Sequence, residues 1–474
     1  MSLSEPKNEA ESRVFRTLRR AVREQVNLCP RPYQFKGVFA IEQTHGRILI
    51  ADPPGLGKTL ISLAWGALYP ERRPVLIVCP ATLKFNWQNE IVKHLGKDSI
   101  ILSGKKPYKF PKHEYVIINY DILDAWKSEI LKTIKPPIII FDEFHFCMNR
   151  KAIRTKAAVK LAKKVSHVIA LTGTPINNRP VELFSQLSAI DASIFPSFWD
   201  FGMNYCDAKN KFGRWEFKGA SRTKQLHRIL TEKVMIRREK ADVLTELPDK
   251  TRTSLPVSIC MKEYNKAEAD LIGWLKKTDP LKAARAKNAE ALAKIGYLKR
   301  LAAKGKIKEV VKWVKNFLDT TDEKILLFAV HHEVLDALKD AFGPEAVMLT
   351  GKTRASERAK SVDRFQNDPK IRVFVGGLKA AGVGLTLTAA STGCMVELGW
   401  TPAEHIQGED RLHRLTQKNA VNWYYFLAKG TIEEPICDMI QAKQKVIEQV
   451  LDGREEVQDW NVYENLVKSL QGRK

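Results

Sequence analysis

Cysteine is scarce: seven residues in 474, at 29, 79, 147, 206, 260, 394 and 437, with no C-x-x-C pair. That leaves no spacing able to hold zinc or a redox dithiol, and the odd, scattered set suits a reducing compartment. Long apolar runs are also missing; stretches such as Pro136 to Phe141 fall far short of the ~18 residues a membrane helix needs. The opening MSLSEPKNEAESR has no apolar core, so a secretory signal is not expected. Acidic residues are in deficit, 54 Asp and Glu against 78 Lys and Arg, for a formal net charge of +24. A surplus of that size calls for a polyanionic partner, most simply nucleic acid. There is no repeat and no low-complexity segment. The expectation is a soluble, intracellular, basic protein of two or three domains of ~150–200 residues each.

What is present is a recurring strand–helix pattern. RILIAD (47–52), VLIVCP (75–80), YVIINY (115–120), IIIFDE (138–143) and HVIALTG (167–173) are continuous apolar runs, as strands buried on both faces of a parallel sheet require. Amphipathic stretches such as Thr82 to Leu95 and Arg154 to Lys164 serve as crossover helices. The pattern returns in KILLFA (324–329), AVMLTG (346–351), VFVGG (373–377), CMVELG (394–399) and WYYFLA (423–428). Two such series predict an α/β protein with two doubly wound parallel-sheet lobes. Between them, residues 281–315 carry eleven Lys and Arg against Glu290 and Glu309, a net of +9. Rich in Ala, Leu and Lys, this stretch reads as helical. Most of its lysines suit a solvated face; a share, with Lys299, Arg300, Lys304 and Lys306 as candidates, suits DNA phosphate. Trp313 and Phe317 read as core, His331-His332 as a helix start, and Cys79 as a small buried hydrophobe.

The chemistry gathers at strand ends. Asp52-Pro53-Pro54-Gly55-Leu56-Gly57-Lys58-Thr59 follows a strand and opens a helix, so backbone N–H groups of Gly55, Leu56 and Gly57 can cradle phosphate. Lys58 would meet the β- and γ-phosphates and the Thr59 hydroxyl would ligate Mg²⁺. Asp52 stands where the strict pattern has glycine. Asp142-Glu143-Phe144-His145 ends the apolar strand IIIF, which offers Asp142 as a metal ligand and Glu143 to orient or deprotonate the attacking water. Leu171-Thr172-Gly173-Thr174-Pro175 ends another strand and brings small hydroxyl residues. Downstream, Gln407-Gly408-Glu409-Asp410-Arg411-Leu412-His413-Arg414 sets two arginines three apart, which one helix face would present together to a γ-phosphate.

These segments, in this order, resemble the superfamily-two helicases, and specifically the Swi/Snf-like branch of double-stranded DNA translocases, from about Arg31 to Gly453. The resemblance implies two RecA-like lobes with helical insertions. It divides the chain into a helical extension (1–30), a first lobe (31–248), a basic helical linker or protrusion (249–320), a second lobe (321–452) and a helical tail (453–474). Arg31-Pro32-Tyr33-Gln34 is similar to the segment that reads adenine, through Gln34. Cys79-Pro80-Ala81-Thr82-Leu83 and Asn119-Tyr120-Asp121 resemble DNA-facing motifs, which implicates Thr82 and Asn119. Met235-Ile236-Arg237-Arg238, Asp242-Val243-Leu244 and Leu247-Pro248 resemble the branch's own marks. Ala381-Gly382-Val383-Gly384-Leu385-Thr386-Leu387 is similar to the motif coupling DNA to the ATP cleft, with Thr386 toward DNA. Trp400-Thr401-Pro402-Ala403 and Gln407 continue the agreement and place Gln407 with the catalytic set. Phe201-Gly202, Tyr205-Cys206 and Ala208-Lys209 look most like the annealing-helicase and fork-remodelling group.

The departures are Pro53-Pro54, Phe144, Gly408 and Leu415-Thr416; none removes a catalytic group. The implied activity is ATP hydrolysis with Mg²⁺, driving translocation on double-stranded or branched DNA. A strand-separating helicase and a DNA-binding scaffold with weak ATPase are the alternatives. The expected setting is a bare motor without accessory domains, of the kind a prokaryote or virus encodes: cytoplasmic there, nuclear in a eukaryote.

Overall fold

The computed structural model describes residues 3–211, 213–244, 246–276, 286–381 and 385–454. The chain divides into two compact units, Met1–Thr245 with the segment that begins at Lys445, and Glu246–Gln444. Among the described residues no helix is long and apolar enough to cross a membrane.

The first unit is built on strands β1 (Arg47–Ile50), β2 (Val75–Cys79), β3 (Ser99–Ile101), β4 (Tyr115–Asn119), β5 (Ile138–Asp142) and β6 (His167–Leu171). A hairpin of β7 (Lys209–Lys211) and β8 (Arg214–Glu216) stands apart, and β9 (Met235–Ile236) closes the list. The large sheet runs β3-β4-β2-β5-β6-β1-β9, and all its pairs are parallel. The residues of β2 and β4 are wholly buried, which is why they read as unbroken apolar runs rather than alternating ones. Arg47, at the start of β1, fastens two helices. Its guanidinium donates to Ile190 O (2.5 Å), Val165 O (2.9 Å), Ser166 O (3.0 Å), Ala162 O (3.1 Å) and Ala189 O (3.2 Å). Those carbonyls end or follow helices Ile153–Ala162 and Leu183–Ile190, where the helix itself supplies no donor.

The segment from Lys445 returns to this unit. Ile447, Val450 and Leu451 join its core, His227 Nδ1 lies 3.1 Å from Val450 O, and Asp452 and Arg454 form ion pairs with Arg237 and Glu239. The second-lobe reading of 321–452 therefore ends too late. Of the helical tail read at 453–474, residues 455–474 lie outside the described residues.

The second unit holds β10 (Lys250–Val257), β11 (Lys324–Ala329), β12 (Ala346–Leu349), β13 (Val373–Gly377), β14 (Ala390–Met395) and β15 (Val421–Ala428), ordered β10-β15-β14-β11-β13-β12 and parallel throughout. Strand β10 corrects the start of the proposed helical linker. Its KTRTSLPV carries too little apolar signal to announce a strand; eight residues of pairing with β15 make it one. Strand β14 also begins earlier than the CMVELG run suggested, because Ser391 and Thr392 are buried at its start.

From Ala286 the basic stretch forms helix Ala286–Thr320; residues 281–285 lie outside the described residues. Trp313 and Phe317 stack with ring centroids 5.9 Å apart against the core. Lys306 is fully buried, with Nζ 2.8 Å from both carboxylate oxygens of buried Glu433 and 2.6 Å from Phe426 O. Its charge is spent on holding the helix to the end of β15, so it faces no external phosphate.

Candidate nucleotide site and DNA-facing elements

In the first unit the phosphate loop, the carboxylates, Thr82 and Asn119 follow the carboxyl ends of sheet strands, the side on which open parallel sheets bind ligands, while Gln34 lies in helix Pro32–Gln43 ahead of β1. The loop after β1 passes through Gly55 and Gly57, both at positive φ, and Gly57 caps helix Lys58–Ala67 without a side-chain hydrogen bond. Glycine is required at 57 twice over: φ is +75°, and an added Cβ would lie 2.3 Å from Gln34 Nε2. Gln34 is buried, donating to Leu56 O at 3.3 Å and accepting from Arg31 N at 2.8 Å, so the segment read as the adenine contact also braces the phosphate loop. Lys58 Nζ donates to Asp52 O (2.7 Å) and Pro53 O (3.3 Å).

Asp52 explains its own departure from the glycine pattern. Its side chain is fully buried and pairs with Arg238, whose Nε donates at 3.2 Å and whose backbone N donates at 3.0 Å. Arg237 beside it donates to Ala51 O at 2.8 Å and pairs with Asp452. The two arginines that mark the Swi/Snf branch thus clamp the base of the loop. A buried carboxylate at a phosphate loop demands a cation, and folding supplies Arg238. The proline departure has a contact of its own, since a side chain at Gly173 would strike the Pro54 ring.

Strand β5 delivers Asp142 and Glu143. Asp142 Oδ2 accepts from Trp87 Nε1 (2.8 Å), Oδ1 accepts from the Glu143 backbone N (2.9 Å), and its carbonyl accepts from Tyr120 OH (2.7 Å). Burial, and then the neighbouring Glu143 charge, push the Asp142 carboxyl up to about 6. Two carboxylates crowded in this way make a donor set that a divalent cation would satisfy. Glu143 takes φ +49° and lies 3.2 Å from His145 Nδ1, which is also 3.0 Å from Thr172 Oγ1. Phe144 is accommodated beneath the site, stacked on Phe141 at 4.5 Å and fully buried. Thr82 is exposed in the short helix after β2, and Asn119 at the end of β4 donates to Asp121 at 3.1 Å. Sequence reasoning had not given Trp87 or Tyr120 their task of orienting Asp142.

In the second unit the arginine motif differs from expectation. Helix Pro402–Glu409 stops before Arg411, so no shared helix face brings the arginines together. They reach adjacent residues instead: Arg411 donates to Leu385 O (2.9 Å) and Gln407 O (2.8 Å), while Arg414 donates to the Thr386 hydroxyl (2.9 Å) and Asp410 O (2.9 Å). Thr386 and the arginine pair are thereby one hydrogen-bonded set; Gly382, Val383 and Gly384 of the same motif lie outside the described residues. The helix itself is anchored by Glu409, fully buried between Lys250 (2.8 Å), Arg252 (2.6 Å) and Tyr425 OH (2.7 Å). These neighbours hold its carboxyl well below the usual range, against the opposing cost of burial.

Lys299 is corrected as a DNA contact. It is 1% exposed, with its ammonium 4.8 Å from the Trp400 ring centroid. Burial lowers its pKa. Arg300 and Lys304 both pair with Glu333. His331 starts helix His332–Phe342, with Nδ1 2.5 Å from buried Glu397.

His405, fully buried on the same anchored helix, accepts from Gly399 N at 2.9 Å and stacks on Tyr425. Burial lowers its pKa to about 4, against opposing pulls from Glu409 and Glu404. An unfolded chain takes up this proton near the ordinary value of ~6.5, whereas the folded chain refuses it until about 4. Stability is therefore complete above ~6.5 and declines as pH falls below that value. Urea midpoints measured across this window should show a flatter acid limb for His405→Gln than for the wild type. An unchanged slope would remove His405 from the account.

A protein-family model described as SNF2-related domain matches residues 23–303, more than half of the chain, and one described as Helicase conserved C-terminal domain matches residues 305–416. The chain belongs to the SNF2-related family. Among relatives of this SNF2-related chain, the SWI/SNF-related matrix-associated actin-dependent regulator of chromatin subfamily A-like protein 1 of Xenopus tropicalis is 35% identical, over 88% of this chain and 44% of its own length. The DNA annealing helicase and endonuclease ZRANB3 of Mus musculus is 32% identical, over 90% of this chain and 41% of its own. The SNF2-related chain thus spans less than half the length of either. The Sulfolobus solfataricus SWI2/SNF2 ATPase core in complex with dsDNA is similar at 23% identity and a TM-score of 0.44, covering 90% of this chain and 94% of that one.

The curated relatives correct the expectation of a cytoplasmic prokaryotic or viral motor. They are animal proteins, named for chromatin regulation or for DNA annealing, and they lend that setting no support.

Proposed function

We propose that this chain couples ATP hydrolysis to movement along double-stranded DNA and remodels branched DNA, by fork regression or strand annealing. The observation that carries the reading is the alignment of Lys58, Thr59, Asp142 and Glu143 at the carboxyl ends of β1 and β5, within a chain of the SNF2-related family. Gly55, Leu56, Gly57, Lys58 and Thr59 hold the phosphates, and Gln34 reads the adenine. Thr59 and Asp142 would hold Mg²⁺, which supplies charge neutralisation at the transferring phosphoryl group. Glu143 orients and deprotonates the attacking water. Arg411 and Arg414, with Gln407, serve the γ-phosphate as charge develops. Thr82, Asn119, Thr386 and Arg300 are the DNA-facing candidates; Lys299 is withdrawn. The name of the mouse relative, a DNA annealing helicase and endonuclease, supports the annealing part of the reading.

The test is the ATPase rate with duplex, single-stranded and branched DNA side by side, at several salt concentrations. Duplex and branched DNA should stimulate turnover strongly. Affinity should fall with salt at a log–log slope of about −0.9 per phosphate neutralised. Turnover indifferent to DNA would leave only a DNA-binding scaffold, and stimulation by single strands alone would favour a strand-separating helicase.

A further inference from the structure

The hairpin β7–β8 belongs to neither large sheet. An isolated two-stranded hairpin is marginal in water, yet this one is firmly pinned. Gly219 N donates to Cys206 O and Ser221 N to Tyr205 O, both at 3.1 Å, and the Ser221 hydroxyl donates to Asn204 O at 2.8 Å. Phe217, one residue beyond β8, lies against Gly202 of helix Phe198–Tyr205 so closely that an added Cβ would come within 2.6 Å of its ring. Gly202, one of the residues carrying the likeness to the annealing group, is therefore the seat of the hairpin.

The pinning displays an aromatic surface. Trp199 is 47% exposed and Met203 39%, both on helix Phe198–Tyr205, and Trp215 on β8 is 40% exposed. The two indoles meet edge to face at 5.5 Å and 79°, so each keeps a ring face available. Trp199 and Phe198 both pack on Phe217, at 5.7 and 5.4 Å, and the Arg150 guanidinium sits 3.8 Å over Phe198. In sequence, residues 207–224 carry six Lys and Arg against Asp207 and Glu216, a net of +4. Two pairs consume part of that charge, Lys209 with Asp207 and Lys218 with Glu216. The remaining excess is positive.

We infer that Trp199 and Trp215, with strand Arg214–Glu216, together form a binding surface for the unpaired bases of single-stranded nucleic acid. Exposed indole faces accept any base by stacking, and fixed cations beside them meet the phosphates on either side. The rigid seat on Gly202 means that little side-chain freedom is lost on binding. The inference rests on the reading of this chain as a DNA-acting protein. It adds a contact for the single-stranded part of a branched substrate, separate from the Thr82 and Asn119 elements.

The test uses the full chain with fluorescent oligo(dT) in anisotropy titrations, alongside ATPase stimulation by fully paired duplex. Trp199→Ala/Trp215→Ala should weaken oligo(dT) binding by about 10- to 100-fold, with duplex-stimulated turnover unchanged. Trp215→Phe, which keeps a ring face, should retain most of the affinity, and Arg214→Glu should weaken binding most at low salt. Photocrosslinking of the wild type to 5-bromouracil-substituted oligonucleotide should map to the peptide around Trp215, which decides the matter even if the double variant folds poorly. Wild-type affinity in a folded double variant, or a crosslink confined to other peptides, would overturn the inference and leave a protein partner as the occupant. Failure of duplex to stimulate the wild type would overturn the proposed function instead, since oligo(dT) binding is read independently.

Discussion

Glu143→Gln should still bind an ATP analogue with Mg²⁺ and lose turnover by about 100- to 10,000-fold, the usual contribution of a general base. The substitution keeps the size and planarity of the side chain while removing its ability to take a proton. The Asp142 carboxylate keeps its own supports, because Trp87 Nε1 and the Glu143 backbone N–H remain. Asp142→Asn should behave differently, weakening the binding of metal-nucleotide itself. Its Oδ2 is already committed to Trp87, so an amide rotated to satisfy that donor would turn its NH₂ toward the Glu143 N–H. Binding of a fluorescent nucleotide, measured beside steady-state turnover with and without duplex, separates the two. If Glu143→Gln lost binding while Asp142→Asn kept it, the roles given to these carboxylates would have to be exchanged.

Arg238→Ala should destabilise the first unit by about 3–5 kcal/mol, as breaking a buried ion pair from one side does. The side chain of Asp52 is fully buried and that of Arg238 only 11% exposed, so removing the guanidinium strands a carboxylate away from water. It also removes the donor to Tyr33 O, next to Gln34. Because the Asp52 carbonyl accepts from Lys58 Nζ, the damage should reach nucleotide affinity as well. Asp52→Asn in the Arg238→Ala background should recover much of the loss, since the stranded charge is then gone. Urea unfolding of the four proteins of this double-mutant cycle gives the coupling directly. A first-unit stability for Arg238→Ala within about 1 kcal/mol of wild type, the value expected of an exposed pair, would mean that the clamp on the phosphate loop is not there.

The sequence by itself determined the parts whose signal is local. IIIFDE, VLIVCP and KILLFA announce buried parallel strands because burial on both faces removes alternation, and the structure places strands on all three. Glycine spacing ahead of Lys58 and the carboxylates closing IIIF are equally local, since a βα turn and a strand end need only their own few residues. The tertiary structure decided where distant side chains are spent. Asp52 and Arg238 are 186 positions apart, and nothing near either names the other. Lys299, Lys306 and their neighbours formed one basic run in sequence, yet packing sent Lys299 onto Trp400 and Lys306 onto Glu433 while Arg300 and Lys304 stayed near the surface. A charge count carries no direction, whereas a helix turned against a sheet gives each side chain one. The same holds for KTRTSLPV, which became strand β10 by pairing with β15, and for Arg411 and Arg414, which converge on Leu385 and Thr386 only after their helix has ended. In each case the deciding interaction joins residues far apart in the chain, and only folding brings them within a hydrogen bond's reach.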